Sequence, residues 1–240
     1  MKNIILAGGS KNLGDLIYRD LSKKFNVINL SRTNLKTKKL KKNHYGCNLV
    51  NKNAVLNVFK KINSEIKKID SIIFCVGNSK KTYKKNETIE DFKFSFDNNF
   101  FTFVNLLNAY LKIFKFKKTN IIVISSIAGV KISNAPITYS TAKSSLIYYC
   151  KYKSKELSKY KIRINVISPG NIYMKGNNWH KKIIKEKTKV KNYIKTNVPL
   201  NKFIDPSEII NICKYLIDEN NNSITGSNFI IDGGETLWKT

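Results

Sequence analysis

Tyr139 and Lys143 stand four residues apart in Tyr139-Ser140-Thr141-Ala142-Lys143, and Tyr139 follows Ser126 by thirteen positions. On a helix, residues i and i+4 share a face, so this spacing sets a phenol beside an ammonium. An unperturbed tyrosine has a pKa of about 10 and relays protons poorly near neutral pH. A neighbouring positive charge favours the phenolate and moves it toward the working range. A serine hydroxyl delivered from a separate strand would complete an acid–base site. A Tyr and a Lys at this spacing arise readily by chance in so lysine-rich a chain. The reading therefore depends on the elements that position them.

Short β-branched runs alternate with longer amphipathic stretches. Strands are expected at 3–7, 26–30, 71–76, 120–125, 163–168 and 228–231. Most are near-continuous apolar runs, as when helices cover both faces of a sheet. Between them, Leu13, Leu16, Ile17 and Leu21 form one helical stripe. Val55, Val58, Phe59 and Ile62 form a second, and Phe103, Leu106, Leu107, Tyr110 and Leu111 a third. The alternation predicts the α/β class: an open, parallel, doubly wound sheet. No repeat, linker or composition break divides residues 1–240, so one domain is expected. The least regular stretch, about 170–198, reads as a mobile substrate loop with a helical insert, placed after a strand end where such sheets bind ligands.

The chain of 240 residues is long enough for a sizeable core, and a hydrophobic share of 42% argues against disorder. No apolar run is long enough to cross a bilayer. Met1-Lys2-Asn3 leads straight into a strand-like run with no signal-peptide pattern, which points to the cytoplasm. Cys47, Cys75, Cys150 and Cys213 have no metal-ligand spacing and read as reduced thiols. His44 and His180 have no partners suggesting zinc, so no metal is expected. The formal net charge of +28 admits a nucleic-acid or acidic partner. The lysines are nevertheless spread along the chain, and arginine occurs only at Arg19, Arg32 and Arg163. Lysine together with abundant asparagine is what an AT-rich coding sequence produces without selection for charge. A nucleic-acid role is therefore not favoured.

The first strand ends in Ala7-Gly8-Gly9-Ser10-Lys11-Asn12-Leu13-Gly14 and becomes helical. Glycines there let the backbone turn tightly and approach a pyrophosphate, which a helix N-terminus attracts. That position makes the turn a dinucleotide site of Rossmann type. The second strand ends in Ser31 and Arg32, where an NAD-binding chain would place a carboxylate for the ribose 2′-hydroxyl. An arginine suits a 2′-phosphate, so NADP(H) is expected over NAD(H), with Lys11 as a second cation.

Over nearly its whole length the sequence resembles the short-chain dehydrogenase/reductase family. Ile124-Ser125-Ser126-Ile127-Ala128-Gly129 is similar to the strand end that delivers the family's catalytic serine, with Ser126 at that position. Tyr139 and Lys143 match its YxxxK motif. Phe96-Asp97-Asn98-Asn99 matches the helix segment of its active-site asparagine, and Asn99 is the aligned residue. Ser168-Pro169-Gly170 resembles the turn beside the nicotinamide. Ile224-Thr225-Gly226 and Ile230-Ile231-Asp232-Gly233-Gly234 resemble the C-terminal signature. The departures are local. Ala7 replaces a threonine, Asn12 a glycine, and Asn48 an aspartate near the adenine. Phe74-Cys75-Val76-Gly77 stands where Asn-Asn-Ala-Gly is usual, which removes two polar supports of the cofactor loop and keeps Gly77. Met174 replaces a threonine near the carboxamide, leaving backbone groups of Ile172 for that contact.

The resemblance implies hydride transfer between nicotinamide and a carbonyl or alcohol. Tyr139 would be the proton donor and Ser126 the hydrogen-bond donor to the same oxygen. Lys143 would bind the ribose and lower the phenol's pKa, and Asn99 would hold a water that links Lys143 to solvent. Similarity to 3-oxoacyl-(acyl carrier protein) reductases suggests a 3-oxoacyl thioester, with an acyl carrier protein as partner. The alternative is a sugar or nucleotide sugar of surface polysaccharide synthesis, with Trp179 as a stacking platform or only a packing residue. A non-enzymatic protein that binds NADP or RNA is a third reading, opposed by the intact proton relay. Family likeness also implies a homodimer or homotetramer through the helices carrying Asn99 and Tyr139.

Overall fold

A computed structural model describes residues 1–33, 43–79 and 86–237. Seven strands form one sheet: β1 (Asn3–Ala7), β2 (Asn26–Ser31), β3 (His44–Gly46), β4 (Ser71–Phe74), β5 (Thr119–Ile124), β6 (Ile162–Pro169) and β7 (Asn228–Ile231). Their order is β3-β2-β1-β4-β5-β6-β7, and every pairing is parallel. Six of them match the apolar runs of the sequence. β3 does not, because three residues with no alternation carry no periodic signal. The run expected to reach residue 76 stops at Phe74, where β4 ends.

Successive strand residues point to opposite faces, and this splits the core in two. Ile5, Ile28, Ile72, Phe74, Ile121 and Val123 belong to one apolar layer. Helices α2 (Lys52–Glu65), α4 (Thr102–Phe114) and α5 (Ile137–Leu157) cover it with Phe59, Phe103, Tyr110, Leu146 and Cys150. Ile4, Leu6, Val27, Ile73, Ile122 and Ile167 face the other way. There α1 (Asn12–Leu21) and α7 (Pro206–Ile217) bury Ile17, Leu21, Ile209 and Leu216. α3 (Ile89–Phe96) runs through a π-helical turn, Asp97–Phe101, into α4. α6 (Asn178–Asn197) occupies most of the stretch expected as a loop with a helical insert, with non-helical backbone at Glu186 inside it. Among the described residues, no helix is long and apolar enough to cross a membrane.

The strand order reverses between β1 and β4, and a crevice opens outside their carboxyl ends. The glycine turn lies there. Gly8 N–H donates to Leu30 O (2.8 Å) and Cys75 N–H to Ala7 O (2.9 Å), tying β2, β1 and β4 at one level. Asn12 adopts φ 50°, the left-handed conformation that the sequence allowed for an asparagine in place of glycine. Gly14 lies so close to the turn that a Cβ would stand 2.0 Å from Gly8 O. Gly14→Ala is therefore expected to lower stability by roughly 1–3 kcal/mol, seen as a lower urea midpoint. An unchanged midpoint would contradict this close approach.

Candidate active site

The glycine turn is held from below by a residue that sequence motifs did not single out. Asn29, fully buried in β2, accepts a hydrogen bond from Gly9 N–H at 2.9 Å. Its amide nitrogen donates to Ser10 Oγ (3.2 Å) and Ser31 Oγ (3.4 Å) and meets His44 Nδ1 at 3.0 Å. Ser10 and Ser31 hydroxyls are hydrogen-bonded to each other, and both lie within hydrogen-bond reach of Thr33 O, to which the one not donating to its partner donates. The polar support lost at Ala7 and Cys75 is thus supplied from β2. Its one sequence signal was a lone asparagine within the apolar run Val27-Ile28-Asn29-Leu30. Burial holds the His44 imidazole below its ordinary pKa.

A cleft of about 570 Å³ opens over this platform. Gly8, Ser10, Lys11, Asn12, Leu13, Gly14, Ser31, Arg32, Asn48 and Gly77 all line it, so ten expected cofactor residues meet in one place. Three others lie elsewhere on the same rim. Pro169 ends β6, Gly170 N–H donates to Ile231 O (2.9 Å), and Ile172 bridges to Ile204. The Ile172 carbonyl already accepts from Asn177 Nδ2 (2.8 Å). The Asn48 side chain accepts from Val50 N–H (3.3 Å) and so folds its own turn.

The cleft fits a dinucleotide on three counts. A Cβ at Gly14 has no room, so the backbone makes the close approach itself. The N-terminus of α1 has no side-chain cap, like those of α4 and α5 and unlike those of α2, α3, α6 and α7. α4 continues the π-helical turn, so of the uncapped three it is α1 that begins a helix at the cleft. Its free N–H groups and dipole attract a phosphate. Lys11 and Arg32 are exposed at the end where Ser31 lies, and neither forms an ion pair among the described residues.

Gly77 links this cleft to Asn99 and Lys143. A Cβ there would stand 3.1 Å from both Asn99 Oδ1 and Lys143 Nζ. Asn99 sits fully buried in the π-helical turn. It accepts from Asn78 N–H (2.9 Å) and donates to Asn78 O (3.0 Å) and Ser95 O (2.9 Å). Lys143 is only 2% exposed. Its ammonium donates to Val76 O (3.4 Å) and Ile124 O (3.3 Å), carbonyls just beyond β4 and at the end of β5. Burial without a carboxylate pushes it down to about 8. Ser125 Oγ donates to Lys143 O (3.3 Å) and fixes α5 against β5.

Tyr139 precedes Lys143 by one turn of α5, with Nζ 5.8 Å from the ring centroid. The Ser126 hydroxyl lies near its phenol and favours the phenolate. Ser126 in turn accepts from Ala128 N–H (3.2 Å), which orients the hydroxyl at the end of β5. The sequence led us to expect a phenol acidified by the ammonium. In the free protein burial dominates and raises the Tyr139 pKa, opposed by the Ser126 hydroxyl. The reason is desolvation, which penalises a phenolate more than an ammonium 5.8 Å from the ring centroid relieves it.

Trp179 does not stand free as a stacking platform. It packs on Tyr193 and Phe203, each at 5.4 Å between ring centroids, with Lys182 Nζ 4.5 Å over its own ring. His180 lies against Tyr173 at 6.0 Å. Among the described residues, no group of three or more His, Cys, Asp or Glu could hold a metal.

Comparison with known proteins agrees with this geometry. Residues 22–236 match a family described as enoyl-(acyl carrier protein) reductase. The 3-oxoacyl-(acyl-carrier-protein) reductase of Bos taurus is 23% identical over 238 residues, covering 96% of each chain. A solved 4-hydroxyisoleucine dehydrogenase complexed with NADH superposes with a TM-score of 0.89 at 28% identity, covering all of both chains. The structure of ElxO with NADP bound shares the fold, with a TM-score of 0.87 at 23% identity over 98% of this chain and 99% of that one. The parallel sheet, the glycine turn and the family match lead to one conclusion: the chain belongs to the short-chain dehydrogenase/reductase family of oxidoreductases.

Proposed function

We propose that the protein is an NADP(H)-dependent reductase of a 3-oxoacyl thioester, working through Ser126, Tyr139, Lys143 and Asn99. The observation that carries the catalytic part is the buried Lys143 ammonium 5.8 Å from the Tyr139 ring centroid, with the Ser126 hydroxyl close to the phenol. When bound, the nicotinamide supplies the hydride. Tyr139 gives its phenolic proton to the carbonyl oxygen as negative charge develops there. A raised pKa keeps the phenol protonated in the free protein, which suits donation. Ser126 donates a hydrogen bond to the same oxygen and fixes its position. Lys143 holds a positive charge one helical turn away and replenishes the phenol. Asn99, engaged with Asn78 on one side and adjacent to Lys143 on the other, leads the proton path toward solvent.

Preference for NADP(H) rests on Arg32 and Lys11 beside Ser31, with no carboxylate at that strand end. Support for an acyl thioester comes from the rim. The segment joining Ser126 to Tyr139 presents Ile132 (99% exposed), Val130 and Ile137 to solvent. α6 carries seven exposed lysines and a single glutamate, Glu186. An apolar lip beside a cationic helix suits an aliphatic chain on an acidic carrier protein. Trp179 packs on Tyr193 and Phe203, which favours its reading as a packing residue over a stacking platform for a sugar. Exposed Tyr148 and Tyr152 share a groove with Phe100 and Tyr149 on α5 and the π-helical turn, which supports a homo-oligomer through that face.

Tyr139→Phe is expected to cut turnover of acetoacetyl-coenzyme A by about 10³-fold or more, with the NADPH dissociation constant changed less than about twofold. Near-normal turnover would remove Tyr139 from the mechanism. Arg32→Ala is expected to raise KM for NADPH about tenfold, the value of one charge-assisted contact, and to leave KM for NADH almost unchanged. Equal effects on both cofactors would contradict a phosphate site. The ammonium also leaves a thermodynamic signature. Its native pKa of about 8 lies below the unfolded value of 10.5. Between those pH values the unfolded chain binds more protons, so this group adds stability as pH rises. Relative to Lys143→Met, the wild type should gain up to about 3 kcal/mol from pH 8 to 10.5, measured by urea unfolding. A pH-independent difference would contradict the depressed pKa.

A further inference from the structure

We propose that Glu235 is a positioning residue whose carboxylate clamps α6 and the segment after β6 onto the rim of the active-site cleft, and so sets how tightly the carbonyl substrate is held. This rests on the reading of that rim as the substrate site. Glu235 is 3% exposed and has no place in the proton relay. Tyr193 of α6 donates to its Oε1 (3.0 Å). Asn171, beside Gly170 and Ile172, donates to its Oε2 (2.7 Å). Lys131, from the segment that links Ser126 to Tyr139, donates to its main-chain carbonyl (2.7 Å). One residue thus joins the segment after β5, the segment after β6 and α6.

Local chemistry explains how Glu235 is aimed. Asp232 Oδ1 accepts from Gly234 N–H (2.8 Å) and its Oδ2 from Thr236 N–H (2.6 Å), which folds the chain after β7 into a tight turn. Gly233 and Gly234 take positive φ there. A Cβ on Gly233 would stand 2.7 Å from Val198 Cγ1, so the turn presses directly on the end of α6. Leu200 N–H donates to Gly233 O (3.0 Å) across the same contact. On α6 the half after Glu186 buries Val190 and Ile194 and offers Tyr193 to Glu235. The half before it has no buried residue, and a non-helical backbone at Glu186 separates the two. The clamped half therefore anchors the exposed half, and Trp179 stacks back on Tyr193 to pass the constraint along. A buried carboxylate with two donors is costly to remove on one side only, because the donors are left unpaired.

The test compares Glu235→Ala, Glu235→Gln and Tyr193→Phe in the full chain. Amide hydrogen exchange across residues 187–197 should quicken about tenfold in Glu235→Ala, less in Tyr193→Phe, with Glu235→Gln in between because it keeps one acceptor. KM for acetoacetyl-coenzyme A should rise about tenfold in the alanine variant while kcat moves less than about threefold. NADPH affinity should fall by less than KM rises, since the phosphates rest on the glycine turn built by β1 and β2 and only the nicotinamide end meets the segment after β6. Unchanged exchange in all variants would overturn the clamp, as would a loss of NADPH affinity matching the rise in KM. If Glu235→Ala does not fold, Tyr193→Phe decides on the same readouts. A wild type that does not reduce acetoacetyl-coenzyme A overturns the thioester reading alone, and the exchange comparison still decides the clamp.

Discussion

An ammonium held almost out of water, with no carboxylate beside it and two carbonyl oxygens as its hydrogen-bond partners, sets the terms for the rest of the molecule. Burying a charge is expensive unless polar groups replace its hydration. For Lys143 those groups are Val76 O and Ile124 O. They come from the ends of two strands that must be neighbours in the sheet, as β4 and β5 are. Gly77 leaves the space that the Nζ and the Asn99 amide occupy. A π-helical turn brings Asn99 inward where regular α-helix would continue past. Strand order, one missing side chain and one widened helical turn therefore serve the same few cubic ångströms.

The two ionisable groups of that site are both pushed away from charge by burial. Lys143 is moved down to about 8, and Tyr139 is moved up. The phenol thus stays loaded with its proton while the ammonium sits close to the pH at which it can give one up. The nearby Ser126 hydroxyl works against the burial of Tyr139 by favouring the phenolate. Under the proposed mechanism this division, a loaded donor next to a readily exchanging reservoir, would serve general acid catalysis at neutral pH. The dinucleotide cleft is built on independent supports, chiefly Asn29 under Gly9, Ser10 and Ser31. Changes in one half of the site can be read separately from changes in the other.

Much of this was legible because it is local. Apolar runs between helical stripes specify a doubly wound sheet, and a glycine turn between strand and helix carries its purpose in its own sequence. Tyr139 and Lys143 share one helix, so their spacing alone places them together. What was not legible depends on contacts between distant segments. Glu235 meets Asn171 across 64 positions and Tyr193 across 42, and no motif signals such a pair. Trp179 had two readings until Phe203 was found against it. The acidity of Tyr139 was inferred from charge alone, and desolvation, which only a folded environment reveals, reversed its direction. Asn29 was visible as a polar interruption in an apolar strand, but its purpose appears only with Gly9 above it.

The most direct test of the central claim is the pH dependence of kcat/KM for NADPH, which reports groups of the free enzyme. The value should fall tenfold per pH unit above about 8, where Lys143 loses its proton, and the fall should vanish in Lys143→Arg, whose charge persists. A profile that stays flat to pH 10 in the wild type would contradict a catalytic role for the buried ammonium.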